Sequence, residues 1–302
     1  GMMGMGEGAH LMGHGAPQQM QMVQAAEAYK MLASLPSVKI VEKMNVLETA
    51  AGLLGDMLGQ DIELEMANKY LIQTGDGHPF LFAVEQTDVC NRNCCPDCRA
   101  IDVDIVILGQ DPRVLNAATG YVDWNFSPLG AGVDLRNSTK FLHLHKDFQC
   151  TCCCFNRPII DVTNGTTGEL LGRIRDPFAC CDMTFAVEDP SGDQILSAKG
   201  GCCQLGLICP CPCGPCREVH FPVEDAKTGQ EVGKLTKIVP DCLKFLMADD
   251  VDNYEVEFGA VQNPQYKALM IALGLFIDFR YFNARSENHN DDDGSGSGSG
   301  SE

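Results

Sequence analysis

Asn263-Pro264-Gln265-Tyr266-Lys267-Ala268-Leu269-Met270-Ile271-Ala272-Leu273-Gly274-Leu275-Phe276-Ile277-Asp278-Phe279-Arg280-Tyr281-Phe282 is the stretch whose reading decides the fold. Asn263 is a good N-cap, because its side-chain oxygen accepts from a free backbone N–H of the first turn. Pro264 suits the first helical position, where no N–H is needed. Between 268 and 277 every residue is apolar or Gly, so the helix has no polar face and must be buried, in protein or in lipid. From 266 to 282 it would reach roughly 26 Å, at about 1.5 Å per residue. Its unbroken apolar run is only about ten residues, a length that favours a core helix over a bilayer span. Asp278 and Arg280 interrupt the last third, and either charge mid-bilayer would cost roughly 3 kcal/mol. Near an interface the same charges snorkel, so a membrane-inserted helix stays open as the second reading. In either setting Tyr266, Leu269, Met270, Leu273, Phe276, Ile277 and Phe279 make the apolar contact.

Upstream, the texture is that of a β protein. Short runs alternate in period two between turn signals: 70–73, 80–84, 103–108, 141–145, 183–187 and 219–223, with a weaker first run at 37–42. Such spacing predicts a sandwich or barrel of half-buried strands. An internal echo supports a repeated sheet unit. Thr167-Gly168-Glu169-Leu170-Leu171-Gly172-Arg173-Ile174 resembles Thr228-Gly229-Gln230-Glu231-Val232-Gly233-Lys234-Leu235, each a Gly turn opening into a strand. A closed barrel has no free edge and can host a central apolar helix. The predicted fold is therefore mainly β: a closed antiparallel barrel around a hydrophobic C-terminal helix.

The predicted organisation has three parts. Residues 1–36 form a mobile segment, partly helical over 18–35, with room for protein partners. Residues 37–283 form the barrel domain with its central helix at 264–282. Residues 284–302 form a disordered acidic Gly/Ser tail. A short amphipathic helix is expected over 46–58, and a long hairpin or surface insertion over 116–140.

Of 302 residues, 41 are Asp or Glu and 22 Lys or Arg, for a net charge of −19. That balance argues against nucleic acid, which requires a basic patch. At an anionic membrane such a chain needs a bridging cation or a covalent lipid. The 17 cysteines are clustered. No basic region followed by an apolar run is visible in 1–16, so the thiols are expected to be cytosolic and reduced.

Three chemistries fit the clusters. Cys95-Pro-Asp-Cys98 and Cys213-Gly-Pro-Cys216 have zinc-ligand spacing, provided the fold brings them together. Cys150, Cys152, Cys153 and Cys154 form a run suited to S-acylation near a membrane, where two acyl chains suffice for stable anchoring. Plain surface thiols are the third. The acidic run at 249–257 offers Asp250, Asp252, Asn253, Glu255 and Glu257 as hard oxygen ligands for Ca²⁺. It fails as an EF-hand, because Glu255 stands where a Gly is needed and Val261 where a Glu is needed. Tyr254, Val256 and Phe258 alternate with Glu255 and Glu257, so the same run reads as a strand with one wet face. No nucleophile elbow, phosphate loop or dinucleotide fingerprint is present. His143 and His145 share one face of a candidate strand.

These residues resemble the phospholipid scramblase family. Glu85-Gln86-Thr87-Asp88-Val89-Cys90-Asn91-Arg92-Asn93-Cys94-Cys95 is similar to the family's Glu-x-Thr-Asp-x-Cys-x-Arg-Asn-Cys-Cys signature. Cys150 to Cys154 stand at its acylated run. Residues 250–258, then Lys267 to Ile271 and Phe276-Ile277-Asp278-Phe279, stand at its calcium segment and C-terminal helix. The likeness spans 38–282 in order. A Gly/Met/Gln segment replaces the family's Pro-rich N-terminal region. The resemblance implies a tubby-like fold and Ca²⁺-promoted, ATP-independent phospholipid scrambling by a translocator rather than an enzyme. It also implies membrane phospholipids as partners, with a palmitoylated lipoprotein at the cytoplasmic face of the plasma membrane. Two alternatives remain: an S-acylated, membrane-tethered tubby-like binding module, and a cytosolic zinc protein using Zn²⁺ at Cys95, Cys98, Cys213 and Cys216.

Overall fold

Strand alternation in this chain sorts its residues into an inside and an outside. In Met183–Glu188, the side chains of Met183, Phe185 and Val187 are buried while Thr184, Ala186 and Glu188 are half-buried. Successive side chains of a strand point to opposite faces, so such a run has one core side. The computed structural model describes residues 15–43, 68–86, 98–108, 138–151, 154–209, 214–238 and 250–282. The expected helix over 46–58, nearly all of the 116–140 insertion and the 284–302 tail lie outside these residues.

Helix α1 (Gly15–Ser34) precedes twelve strands. They are β1 (Ser37–Lys43), β2 (Lys69–Thr74), β3 (Pro79–Glu85), β4 (Ile101–Ile107), β5 (Lys140–Lys146), β6 (Ile159–Asn164), β7 (Leu170–Arg175), β8 (Met183–Glu188), β9 (Gln194–Gly200), β10 (Glu218–Asp225), β11 (Glu231–Ile238) and β12 (Asp250–Glu257). A helical turn, α2 (Leu205–Ile208), and a 3-10 turn (Gly214–Cys216) separate β9 from β10. Each strand pairs antiparallel with its sequence neighbours, and β1 pairs with β12 to close the barrel. The expected closed antiparallel barrel is thus observed. Strands β6 and β9 escaped the sequence reading, because small and polar residues dilute their alternation. Strand β3 shows no alternation, because it is buried on both faces. Leu81 and Ala83 face the main core, whereas Phe82 and Val84 join Val41, Leu71 and Val106 in a second cluster.

Helix α3 (Pro264–Ile277) runs back through the barrel, and a π-helical turn (Asp278–Phe282) follows it. Every residue from Lys267 to Ile277 is buried, whereas Tyr266 is half-buried at the mouth. Asn263 caps the helix as predicted, its side chain accepting from the Gln265 N–H at 2.9 Å. Two strand glycines make room for the helix. A Cβ at Gly172 would lie 3.0 Å from a Leu269 methyl, and one at Gly233 would lie 2.8 Å from the Met270 methyl. These are the matching glycines of the internal echo, so the repeat marks two seats for the helix.

The barrel has two unlike rims. At the turn rim β12 hands over to α3, and tight turns at 165–169, 189–193 and 226–230 join strands. At the loop rim the connections 44–68, 86–100, 147–158, 176–182, 201–217 and 239–249 emerge together with the end of α3. Helix α1 lies across the turn rim. Its Ala25, Ala28 and Leu32 are buried, and the Tyr29 ring packs 4.6 Å from that of Phe141. These residues follow the i, i+3, i+4, i+7 pattern of a docked face. Residues 15–34 are therefore packed onto the barrel, where the sequence predicts a loosely docked segment. The alanines of that face give a weak apolar signal in one dimension.

Candidate functional site

A helix without a polar face is held at its two ends. At the turn rim Lys267 enters the protein with its ammonium and donates to the carbonyls of Leu32, Ala33 and Leu35, at 3.2, 2.7 and 2.7 Å. Those carbonyls end α1, where the helix dipole favours a cation. One side chain thus caps α1 and anchors α3.

At the loop rim the corresponding group is Asp278, which is fully buried. Tyr70 donates to its Oδ2 at 2.7 Å, Tyr254 to its Oδ1 at 2.5 Å, and the Lys237 ammonium lies 3.4 Å from Oδ1. Lys237 also sits 4.0 Å over the Phe282 ring. Burial, and then the Asp278 charge, hold the Tyr70 hydroxyl well above its ordinary range, so it stays a donor. A second buried carboxylate, Asp176, receives Arg157 at 2.6 Å, Arg280 at 2.8 Å and the Tyr281 hydroxyl at 3.2 Å. Burial, followed by Asp176, pushes Tyr281 up to about 12. Beside it, Lys146 donates to the Arg99 carbonyl at 2.6 Å, and Arg99 pairs with Glu85 at 2.9 Å. Burial, then the Arg280 charge, push Lys146 down to about 8. Both charges that make a mid-bilayer helix costly, Asp278 and Arg280, therefore have protein partners. The sequence reading missed those partners. Lys237 was the available signal, a cation on the inward face that carries Leu235.

The predicted site residues are distributed as follows. Leu269, Met270, Leu273, Phe276, Ile277 and Phe279 are all in the core, with Phe276 edge-on to Phe185 at 6.0 Å and Phe279 edge-on to Tyr70 at 5.8 Å. Of the calcium candidates, Asp250 to Asn253 belong to β12, and their side chains lie outside the described residues. Glu255 is half-buried opposite Lys39 and Thr236, and Glu257 pairs with Lys234 at 3.0 Å. Cys150 and Cys154 are exposed, while Cys152 and Cys153 lie outside the described residues. Cys98 and Cys216 are half-buried, and Cys95 and Cys213 lie outside the described residues. The two zinc-type knuckles leave the rim between β3 and β4 and between β9 and β10, on opposite sides of the ring of strands.

Among the described residues, one cluster has metal-ligand types within reach: Asp102, His143 and His145 on the outer face of β4 and β5. Each imidazole already bonds a carboxylate. His145 Nδ1 meets Asp102 at 2.7 Å and its Nε2 meets Asp147 at 3.1 Å, while His143 Nδ1 meets Asp104 at 2.9 Å. The hydrogen bond with Asp102, then that with Asp147, raises the His145 pKa. A metal there would have to displace these bonds.

The Scramblase family profile matches residues 131–284, which take in β5 to β12, α3 and the π-helical turn. The chain belongs to the scramblase family. Phospholipid scramblase 2 of Bos taurus is 26% identical over 234 residues, covering 75% of this chain and 67% of the relative. Phospholipid scramblase 1 of Homo sapiens is 23% identical over 255 residues, covering 84% and 65%. Phospholipid scramblase family member 5 of Homo sapiens is 23% identical over 229 residues, covering 75% and 70%. The chain spans about two thirds of the length of these curated relatives. No solved structure matches it. In this scramblase-family barrel the C-terminal helix is a core element, and among the described residues no helix is long and apolar enough to cross a membrane.

Proposed function

We propose that this chain moves phospholipids between membrane leaflets, promoted by Ca²⁺ and independent of ATP. It acts as a translocator rather than an enzyme that makes or breaks bonds. The family match, together with likeness to proteins named phospholipid scramblases, carries this reading. Asp250, Asp252 and Asn253, where the chain enters β12 from the loop rim, are its Ca²⁺ ligands; Glu255 and Glu257 leave the set, because an extended strand rises about 3.3 Å per residue and carries them too far along β12 to share one ion. S-acylation of Cys150, Cys152, Cys153 and Cys154 would hold the barrel at the cytoplasmic face of the plasma membrane.

One observation favours a second reading, that of a tethered lipid-binding module without translocation. Helix α3 is buried along its length and ion-paired beyond its end, so it offers lipid no path while it stays in place. Lipid flipping in vesicles holding the purified protein separates the two. Flipping that needs Ca²⁺ and is lost in Asp250→Ala/Asp252→Ala supports translocation. A folded, vesicle-bound protein that flips nothing at any Ca²⁺ level leaves the tethered module.

A further inference from the structure

We propose that the loop rim is a bilayer-docking surface, entering the boundary between headgroups and acyl chains with Phe148, Phe155, Phe178, Leu205 and Ile208. The inference rests on the reading that this chain acts on phospholipid bilayers. It adds which end of the barrel meets the lipid and which side chains enter it.

Five large apolar residues at this rim face solvent. Phe148 is 57% exposed, Phe155 73%, Phe178 51%, Leu205 49% and Ile208 66%. They sit on three successive connections, those joining β5 to β6, β7 to β8 and β9 to β10. The outward placement is built. Asn156, in a left-handed conformation (φ 52°), donates to the Cys150 carbonyl at 2.8 Å and accepts from Gln149 at 2.6 Å, closing the loop that carries Phe155. Asp176, held by Arg157 and Arg280, fixes the base of the Phe178 loop. Gln204 clamps the His220 backbone at 2.7 and 2.9 Å, and Gly206 packs on the Glu218 carbonyl, which turns Leu205 and Ile208 outward. Rigid apolar tips presented from several loops at one end fit a flat apolar partner, and aromatic side chains suit the membrane interface.

The rest of the molecule points the same way. By sequence position, all 17 cysteines fall in connections of the loop rim, between β3 and β4, β5 and β6, β7 and β8, β9 and β10, or β11 and β12. The turn rim carries Asp76, Glu169, Asp189, Asp193 and Asp225 together with Lys140 and Lys227 in or beside its turns. In the described part of the loop rim Arg157, Lys199, Arg217 and Arg280 are matched by Asp147, Asp176, Asp182 and Glu218.

The test uses the full chain without acylation and phosphatidylcholine vesicles without Ca²⁺. Wild type should float with the vesicles, and Phe155→Asp/Ile208→Asp should lower partitioning by about 100-fold. Met20→Asp/Val23→Asp, which alters the exposed apolar residues of α1 instead, should leave it unchanged. In a Trp124→Phe background, the fluorescence of Phe155→Trp and Phe178→Trp should be quenched by brominated acyl chains, and that of Met20→Trp should not. Folded wild type that stays off the vesicles overturns the proposal, as does equal quenching at both ends of the barrel. Loop-rim quenching without flipping leaves this surface standing and removes translocation. Flipping with partitioning untouched in Phe155→Asp/Ile208→Asp overturns the surface and leaves translocation.

Discussion

The two rims of this barrel are made by the same strands, yet they are held by different physics. At the turn rim, short-range chemistry closes the hairpins, while Lys267 reaches back more than 200 residues to the end of α1. Asn164 Oδ1 accepts from the Thr166 and Thr167 N–H groups, and Asp225 Oδ1 accepts from Lys227 and Thr228 in the equivalent turn. Asp189 does the same for Ser191 and Asp193. Gly168, Gly192 and Gly229 supply the left-handed backbone (φ 74°, 89° and 67°) that closes each turn. At the loop rim the partners come from far along the chain. Asp278 meets Tyr70 across 208 residues, and Arg280 meets Asp176 across 104. Local turns thus set the register of the hairpins, whereas long-range partners hold the helix at both rims, Lys267 at one and Asp278 and Arg280 at the other.

Unlocking the helix at each end in turn should have the largest effect. Asp278→Ala leaves the buried Lys237 charge without its carboxylate, and removing one partner of a buried pair costs about 3–5 kcal/mol. Lys267→Met leaves the carbonyls ending α1 without their cation, a loss of about 2 kcal/mol. Urea unfolding of the two variants should rank them in that order. A larger loss for Lys267→Met would make the turn rim the main anchor.

Next come the glycines of the echo. Gly233→Val drives a branched side chain into Met270 and the β12 backbone and should cost about 2–3 kcal/mol. Gly168→Ala meets no atom within 4 Å, so it has only its left-handed backbone to oppose it, about 1 kcal/mol. Equal losses in thermal unfolding would mean that the seat of the helix is softer than its packing implies.

The smallest effect is electrostatic. With its folded pKa raised by Asp102 and Asp147, protonated His145 contributes stability that is fully present below about pH 6.5 and is lost as pH rises through the folded midpoint. An NMR titration should place that midpoint above 6.5, and Asp102→Asn should lower it. No change in the variant would detach the histidine from its carboxylate.

Much of this architecture was legible beforehand, for reasons particular residues explain. The run 268–277 has no polar face, so its burial followed from composition alone. The first Gly in each half of the echo marked a turn, whereas the helix seats at Gly172 and Gly233 emerged only with the structure. Strands β6 and β9 were hidden, since six or seven residues with Ser, Thr, Asp or Lys among them show too little alternation. The candidate site was less legible. Glu255 and Glu257 read first as the wet face of a strand and second as ligands, and the structure shows both half-buried with Glu257 paired to Lys234. The knuckle pairs had zinc spacing, but spacing along the chain says nothing about which side of the ring each pair leaves from.

By itself, the sequence determined that a capped, wholly apolar helix must be buried, that short alternating strands would surround it, and that the cysteines come in clusters. Those properties are local: each depends on neighbours within a few residues. Only the tertiary structure decided that the barrel rather than lipid encloses the helix, that Lys237, Tyr70 and Tyr254 meet Asp278, and that the connections carrying the cysteine clusters all leave from one rim. These follow from closing twelve antiparallel strands into a ring. Closure sends alternate connections to opposite ends and sets residues hundreds of positions apart within hydrogen-bond distance.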